Sequence, residues 1–191
     1  MLGILGKKIG MSRIVLENGV FIPVTYVLAE GNEIIQIRTI EKDGYSALVL
    51  GFDAYAQPRK NKKYKFVKEV AVENTADYKV GDKISIADLG DLESVKITGI
   101  SKGKGFQGGV RRWNFKVARK THGTKDARHG STMSSAITAR AKPGIKMPGR
   151  MGLDQVTLRD RKVVAIDKEK NIYGVKGAIP GTLGSYVVLQ K

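Results

Sequence analysis

Residues 101–150 are the stretch that any fold of this chain must accommodate first. They hold 13 Lys or Arg, a single acid (Asp126), and only Val110, Val117, Ile137 and Ile145 as aliphatic Val, Ile or Leu side chains. Such a segment cannot bury enough apolar surface to offset its own ordering entropy. Something else must hold it. Yet it lies mid-chain, between stretches that read as β-strands.

Those flanks carry short β-rich runs. "MSRIVLENGVFIPVTYVLA" (11–29) is two such runs joined by Asn18-Gly19, a dipeptide whose positive φ angles suit a tight hairpin. "EIIQIRTI", "GYSALVLGF", "FVKEVAV", "DKISI" and "SVKITGI" continue the pattern to residue 100. It resumes in "QVTLRDRKVVAIDKEKNIYGVKGAI" (155–179), with a turn expected at 168–171, and closes with "SYVVLQK". Many short strands at regular spacing predict a mainly β protein, a small antiparallel barrel. The expected organisation is therefore a body of residues 1–100 and 155–191, with 101–154 as a long, largely irregular extension inserted between two strands. Lacking an apolar core, the extension is expected to be mobile until it meets its partner.

The charge distribution points to that partner. Of the net +16, residues 101–150 supply +12. This concentration calls for a polyanion, nucleic acid or an anionic membrane surface. Membrane binding needs an amphipathic helix, and glycines at 103, 105, 108, 109, 123 and 130 break any helix here. No apolar run approaches the roughly 20 residues of a membrane span. The absence of cysteine excludes a disulfide framework. A soluble intracellular nucleic-acid binder is the expectation.

Several motifs invite sharper readings and fail them. Gly103-Lys104-Gly105-Phe106-Gln107-Gly108 spells G-x-G-x-x-G, but no second apolar strand follows as a dinucleotide fold requires. A phosphate loop fails as well, since Gly108 is followed by Gly109-Val110 rather than Lys-Ser/Thr. His122 and His129, with Asp126 between them, lie on a basic segment that repels a cation. No metal, cofactor or catalytic group is expected, and the histidines are read as hydrogen-bonding or stacking groups. Trp113 lies among Arg111, Arg112 and Lys116. Its ring either packs on sugar or base, or anchors the root of the loop to the barrel. A lesser basic cluster, "PRKNKKYKF" (58–66), is a candidate second phosphate contact.

Five blocks, "LGILGKKIGM", "SKGKGFQGGVRRWNF" with "THG", "KMPGRMG" and "VKGAIPGTLGS", resemble in order the bacterial form of large-subunit ribosomal protein three. The resemblance covers nearly the whole chain. It implies a translation-protein-like barrel on the subunit surface and an extension threading 23S ribosomal RNA toward the peptidyl transferase centre. It also implies a role in early subunit assembly, no enzymatic activity, a place in the cytoplasmic ribosome, and neighbours among large-subunit proteins such as fourteen and nineteen. The RNA-binding residues it selects are Lys102, Lys104, Phe106, Arg111, Arg112, Trp113, Lys116, Arg119, Lys120, His122, Lys125, Arg128, His129, Arg140, Lys142, Lys146 and Arg150. Arg150 stands where relatives often carry a methylated glutamine, which the resemblance puts at the tip of the loop. Only Gly144-Ile145-Lys146 separates Pro143 from Met147, where the family usually has a longer stretch. The rival class is an RNA-modifying or nucleotide-using enzyme, which needs a constellation of convergent polar groups that this sequence does not offer.

Overall fold

The computed structural model describes residues 3–16, 18–59, 62–75, 77–85, 88, 92–117, 119, 121–123 and 143–190. In chain order the elements are β1 (Gly3–Val15), β2 (Phe21–Leu28), β3 (Asn32–Arg38), α1 (Ile40–Asp43), β4 (Ala47–Arg59), β5 (Lys62–Ala71), β6 (Lys83–Ile84) and β7 (Ser94–Ile100). They continue with β8 (Phe106–Gln107), α2 (Gly109–Trp113), β9 (Gly149–Arg150), β10 (Gln155–Asp167), β11 (Ile172–Lys176) and β12 (Tyr186–Gln190). The chain is mainly β, as the short apolar runs predict. It divides into two compact units, Met1–Ser101 with Gln155–Lys191, and Lys102–Asp154.

In the first unit, six antiparallel strands pair in the closed order β1-β12-β7-β10-β11-β2. The remaining strands form a separate four-stranded sheet, β5-β4-β3-β6, where the sequence reading put every strand in one barrel. Local chemistry explains the second sheet. After β3 the short α1 ends at Gly44, whose φ of 82° reverses the chain into β4. β4 and β5 then satisfy each other's backbones along a long antiparallel ladder from Ala47↔Ala71 to Arg59↔Lys62. The β1–β2 turn also differs from the expected two-residue hairpin. The Leu16 N–H donates to the Val20 carbonyl across a three-residue connection, and among its described residues Gly19 takes a positive φ while Asn18 does not.

Barrel and sheet share one hydrophobic core. Ile4, Leu5, Val27, Ile97, Val187 and Leu189 from the barrel meet Ile34, Leu48, Leu50, Phe52 and Val70 from the sheet. Each such buried side chain contributes roughly 1.5–3 kcal/mol relative to exposure. Two polar ties accompany that packing. Buried Asn32 accepts from the Leu5 N–H at 2.9 Å and donates to the carbonyls of Leu5 (2.9 Å) and Ala29 (3.2 Å), joining β3 to β1. Asp53 of β4 accepts from Lys65 at 2.7 Å, Tyr186 at 2.9 Å and Lys7 at 3.1 Å, so it links the sheet to β12 and β1. The Tyr186 ring stacks on Phe66 with centroids 4.8 Å apart, which fixes the hydroxyl that reaches Asp53.

The second unit lies between β7 and β10 in sequence. These two strands are hydrogen-bonded neighbours, with Gln155 directly opposite Ile100. The chain therefore leaves the body and returns to it at adjoining rungs of one ladder.

Candidate nucleic-acid interface

Within 102–154 the outgoing and returning arms hold each other. The Lys104 N–H donates to the Met151 carbonyl at 2.9 Å, and the Met151 N–H to the Gly105 carbonyl at 3.0 Å. Phe106 then pairs with Arg150 and Gln107 with Gly149 in the β8–β9 ladder. Gly152 is required beside it, because its φ is +82° and a Cβ there would come within 2.1 Å of the Lys102 carbonyl oxygen. In the described part of this segment the two arms are joined by backbone hydrogen bonds rather than by an apolar core. None of its described hydrophobic side chains is fully buried.

Next along the chain, α2 faces the returning arm. The carbonyl of Met147 accepts two bonds, from Trp113 Nε1 at 2.8 Å and from Arg112 Nη1 at 2.9 Å. Arg112 also lies over the indole ring at 4.8 Å, and the Lys146 amine approaches that ring at 5.6 Å. Trp113 is therefore an anchor that ties the two arms of this unit together. Gly149 leaves room for that arrangement, since a Cβ there would meet Arg112 Nη1 at 2.3 Å. Sequence reasoning missed Met147, because its part is played by a main-chain carbonyl that carries no residue signature.

Some cations of the body face carboxylates, whereas the described cations around this scaffold do not. In the body, Lys63 pairs with Glu33 at 2.9 Å, Lys65 and Lys7 with Asp53, Arg38 with Asp43 at 2.6 Å, and Lys170 with Asp167. These pairs shift the acids downward. Lys65 is the main cause of the low Asp53 pKa, about 2, and the Tyr64 hydroxyl followed by Lys63 holds Glu33 below the usual carboxylate range. In the second unit, among the described residues, Lys102, Lys104, Arg111, Arg112, Lys116, Arg119, Lys146 and Arg150 have no ion-pair partner within 4.0 Å. All but Arg112 are exposed. The segment presents uncompensated positive charge.

Phe106 and Arg150 form a notable pair. Directly opposite residues of an antiparallel ladder project from the same face, and Phe106 is 73% exposed. An open ring thus sits beside an open guanidinium. Arg150, assigned to the loop tip by resemblance, lies instead four residues before Asp154, on the rung opposite Phe106. His122 is exposed, with a φ of 65°. Lys120, Lys125, Arg128, His129, Arg140 and Lys142 lie outside the described residues. Among the described residues no three His, Cys, Asp or Glu side chains cluster as metal ligands, and no helix is long and apolar enough to cross a membrane.

A β-rich body carrying an unneutralised, glycine-punctuated basic segment defines a structural protein of a ribonucleoprotein assembly. The particular family follows from comparison. The Ribosomal protein L3 family profile matches residues 67–178. The large ribosomal subunit protein uL3 of Borrelia hermsii is 41% identical, over 100% of this chain and 97% of its own length. The proteins of the same name from Carboxydothermus hydrogenoformans and Shouchella clausii are each 38% identical, covering 99% and 98% of this chain and 96% of their own lengths. The chain belongs to the ribosomal protein L3 family. It is a structural protein of the large subunit in the cytoplasmic ribosome, and not an enzyme.

Proposed function

We propose that this chain binds 23S ribosomal RNA through residues 102–154, helps to start assembly of the large subunit, and carries its basic segment toward the peptidyl transferase centre. The translation-protein-like barrel is the platform in this reading, and the segment is the penetrating part. Large-subunit proteins such as fourteen and nineteen are its proposed neighbours. The observation that carries the proposal is the density of unopposed charge in the segment, with eight described cations that make no ion pair and, over residues 101–150, 13 Lys or Arg against a single acid. Phosphates are the natural counter-charges, because a protein that neutralises them releases condensed counterions. Phe106 and Arg150 would stack on a base and meet a phosphate side by side. Lys102, Lys104, Arg111, Lys116, Arg119 and Lys146 would follow the backbone. Lys120, Lys125, Arg128, Arg140 and Lys142, outside the described residues, add further cations to the proposed site.

Salt dependence tests the proposal. Six to ten phosphate contacts predict a loss of about 10³–10⁵ in affinity for 23S ribosomal RNA between 50 and 200 mM salt, by analogy with duplex DNA. Arg111→Ala with Arg112→Ala should flatten the slope, while Lys168→Ala with Lys170→Ala, at the β10–β11 turn, should leave it unchanged. An unaltered slope for the first pair would overturn the assignment.

A further inference from the structure

Two adjoining grooves, of about 680 and 580 Å³, open beside the β4–β5 hairpin of the body. They share Tyr55, Lys62 and Lys65, so they form one continuous surface. Part of the wider groove is apolar, formed by Ile35, Val67 and Val80, which are 37%, 45% and 64% exposed. The rest pairs rings with amines. Lys65 lies 5.9 Å from the centre of the Tyr55 ring, and Lys63 lies 5.3 Å from that of Tyr64. Tyr64 is held in place, since its hydroxyl donates to Glu33 and its ring lies against Gly51. Lys62 has no ion-pair partner among the described residues.

We propose that this groove is a second RNA-contact surface, taking a single-stranded stretch of ribosomal RNA. The inference rests on the reading that the chain binds ribosomal RNA, and adds a site in the body, remote in sequence from the basic segment. Its chemistry selects the occupant. Flat rings beside amines, over an apolar surface, match a chain of bases and phosphates. Duplex RNA hides its base faces in the stack and has no use for the apolar part. Glu33 and Asp53 already accept from Lys63 and Lys65, which leaves Lys62 as the unopposed positive charge for an anion in the groove. Bases stack on Tyr55 and Tyr64, and a phosphate sits at Lys62. The exposed Lys63–Glu33 pair is weak enough to exchange its carboxylate for phosphate.

The test compares two full-length double variants for binding to 23S ribosomal RNA, with ultraviolet crosslinking of intact subunits as a second readout. Tyr55→Ala with Lys62→Gln touches exposed positions of the body, so the fold is left alone. Loss of one stacked base predicts a roughly tenfold or greater fall in affinity, and loss of one phosphate contact a salt slope lower by about 1. Crosslinks from Tyr55 or Tyr64 to RNA are expected as well. If this variant binds like the parent while Arg111→Ala with Arg112→Ala binds weakly, the groove proposal falls and the functional reading stands. If neither variant is impaired, both fall. Crosslinking of the groove to a protein instead of RNA also overturns the proposal.

Discussion

Removing one negative charge at Asp53 should weaken the tie between the sheet and the barrel, and the effect should vanish in acid. Asp53 has a φ of 55°, a conformation that asparagine tolerates as readily as aspartate. Asp53→Asn therefore removes the charge while leaving the backbone undisturbed. Lys65, Lys7 and Tyr186 all donate to this carboxylate, and together they hold its pKa at about 2 although burial pushes it upward. Against an unfolded value of about 3.9, and at about 1.36 kcal/mol per unit, the three donors contribute about 2.5 kcal/mol at neutral pH. Partial exposure of the lysines reduces this to about 1–2 kcal/mol. Because the folded pKa is depressed, the contribution is complete above about pH 4 and disappears as the pH falls through 2. Urea unfolding of the full chain, parent and variant in parallel, measures the gap directly. It should be about 1–2 kcal/mol at pH 7, shrink between pH 4 and 2, and approach zero at the acid end. A gap equal at pH 7 and pH 2, or none at pH 7, refutes the reasoning.

Two further perturbations address the other ties. Asn32→Leu leaves the Leu5 N–H and the carbonyls of Leu5 and Ala29 buried without their side-chain partner, so it should cost about 2–4 kcal/mol in thermal or urea unfolding. A loss under 1 kcal/mol would show that the β1–β3 junction does not depend on this amide. Gly152→Ala combines a positive φ with a clash against the Lys102 carbonyl, and should open the ladder between the arms. Limited trypsin digestion of the free chain should then cut after Lys104 and Arg150 roughly fivefold faster or more, while the body melts at the parent temperature; unchanged cleavage would remove Gly152 from the ladder's support.

Strand content and strand order along the chain were legible because alternation and turn residues are local signals. The expected turn at 168–171 falls between β10, ending at Asp167, and β11, beginning at Ile172. The separation of β3–β6 into their own sheet was not legible, since it depends on long-range partners such as Asn32 to Leu5 and Asp53 to Tyr186. In the basic segment, the cations were visible from composition alone. The pairing of its described arms was not, because it rests on main-chain bonds such as Lys104 to Met151 and on a carbonyl at Met147. Arg150 shows the difference most clearly. Resemblance supplies the residue that stands there, whereas only the ladder reveals Phe106 as its neighbour.

The adjoining departure and return of the chain at Ile100 and Gln155 bear on how this family can vary. Closing a loop whose ends are already joined by a ladder costs entropy that grows only as (3/2)RT ln n. Adding about 15 residues to the excursion changes that cost by roughly 0.2 kcal/mol, far below the marginal stability of a domain. Insertions and deletions between the arms are thus nearly invisible to the body's stability. Natural selection can adjust the reach of the segment to its surroundings, as in the short Gly144-Ile145-Lys146 connection of this chain, without renegotiating the fold that carries it.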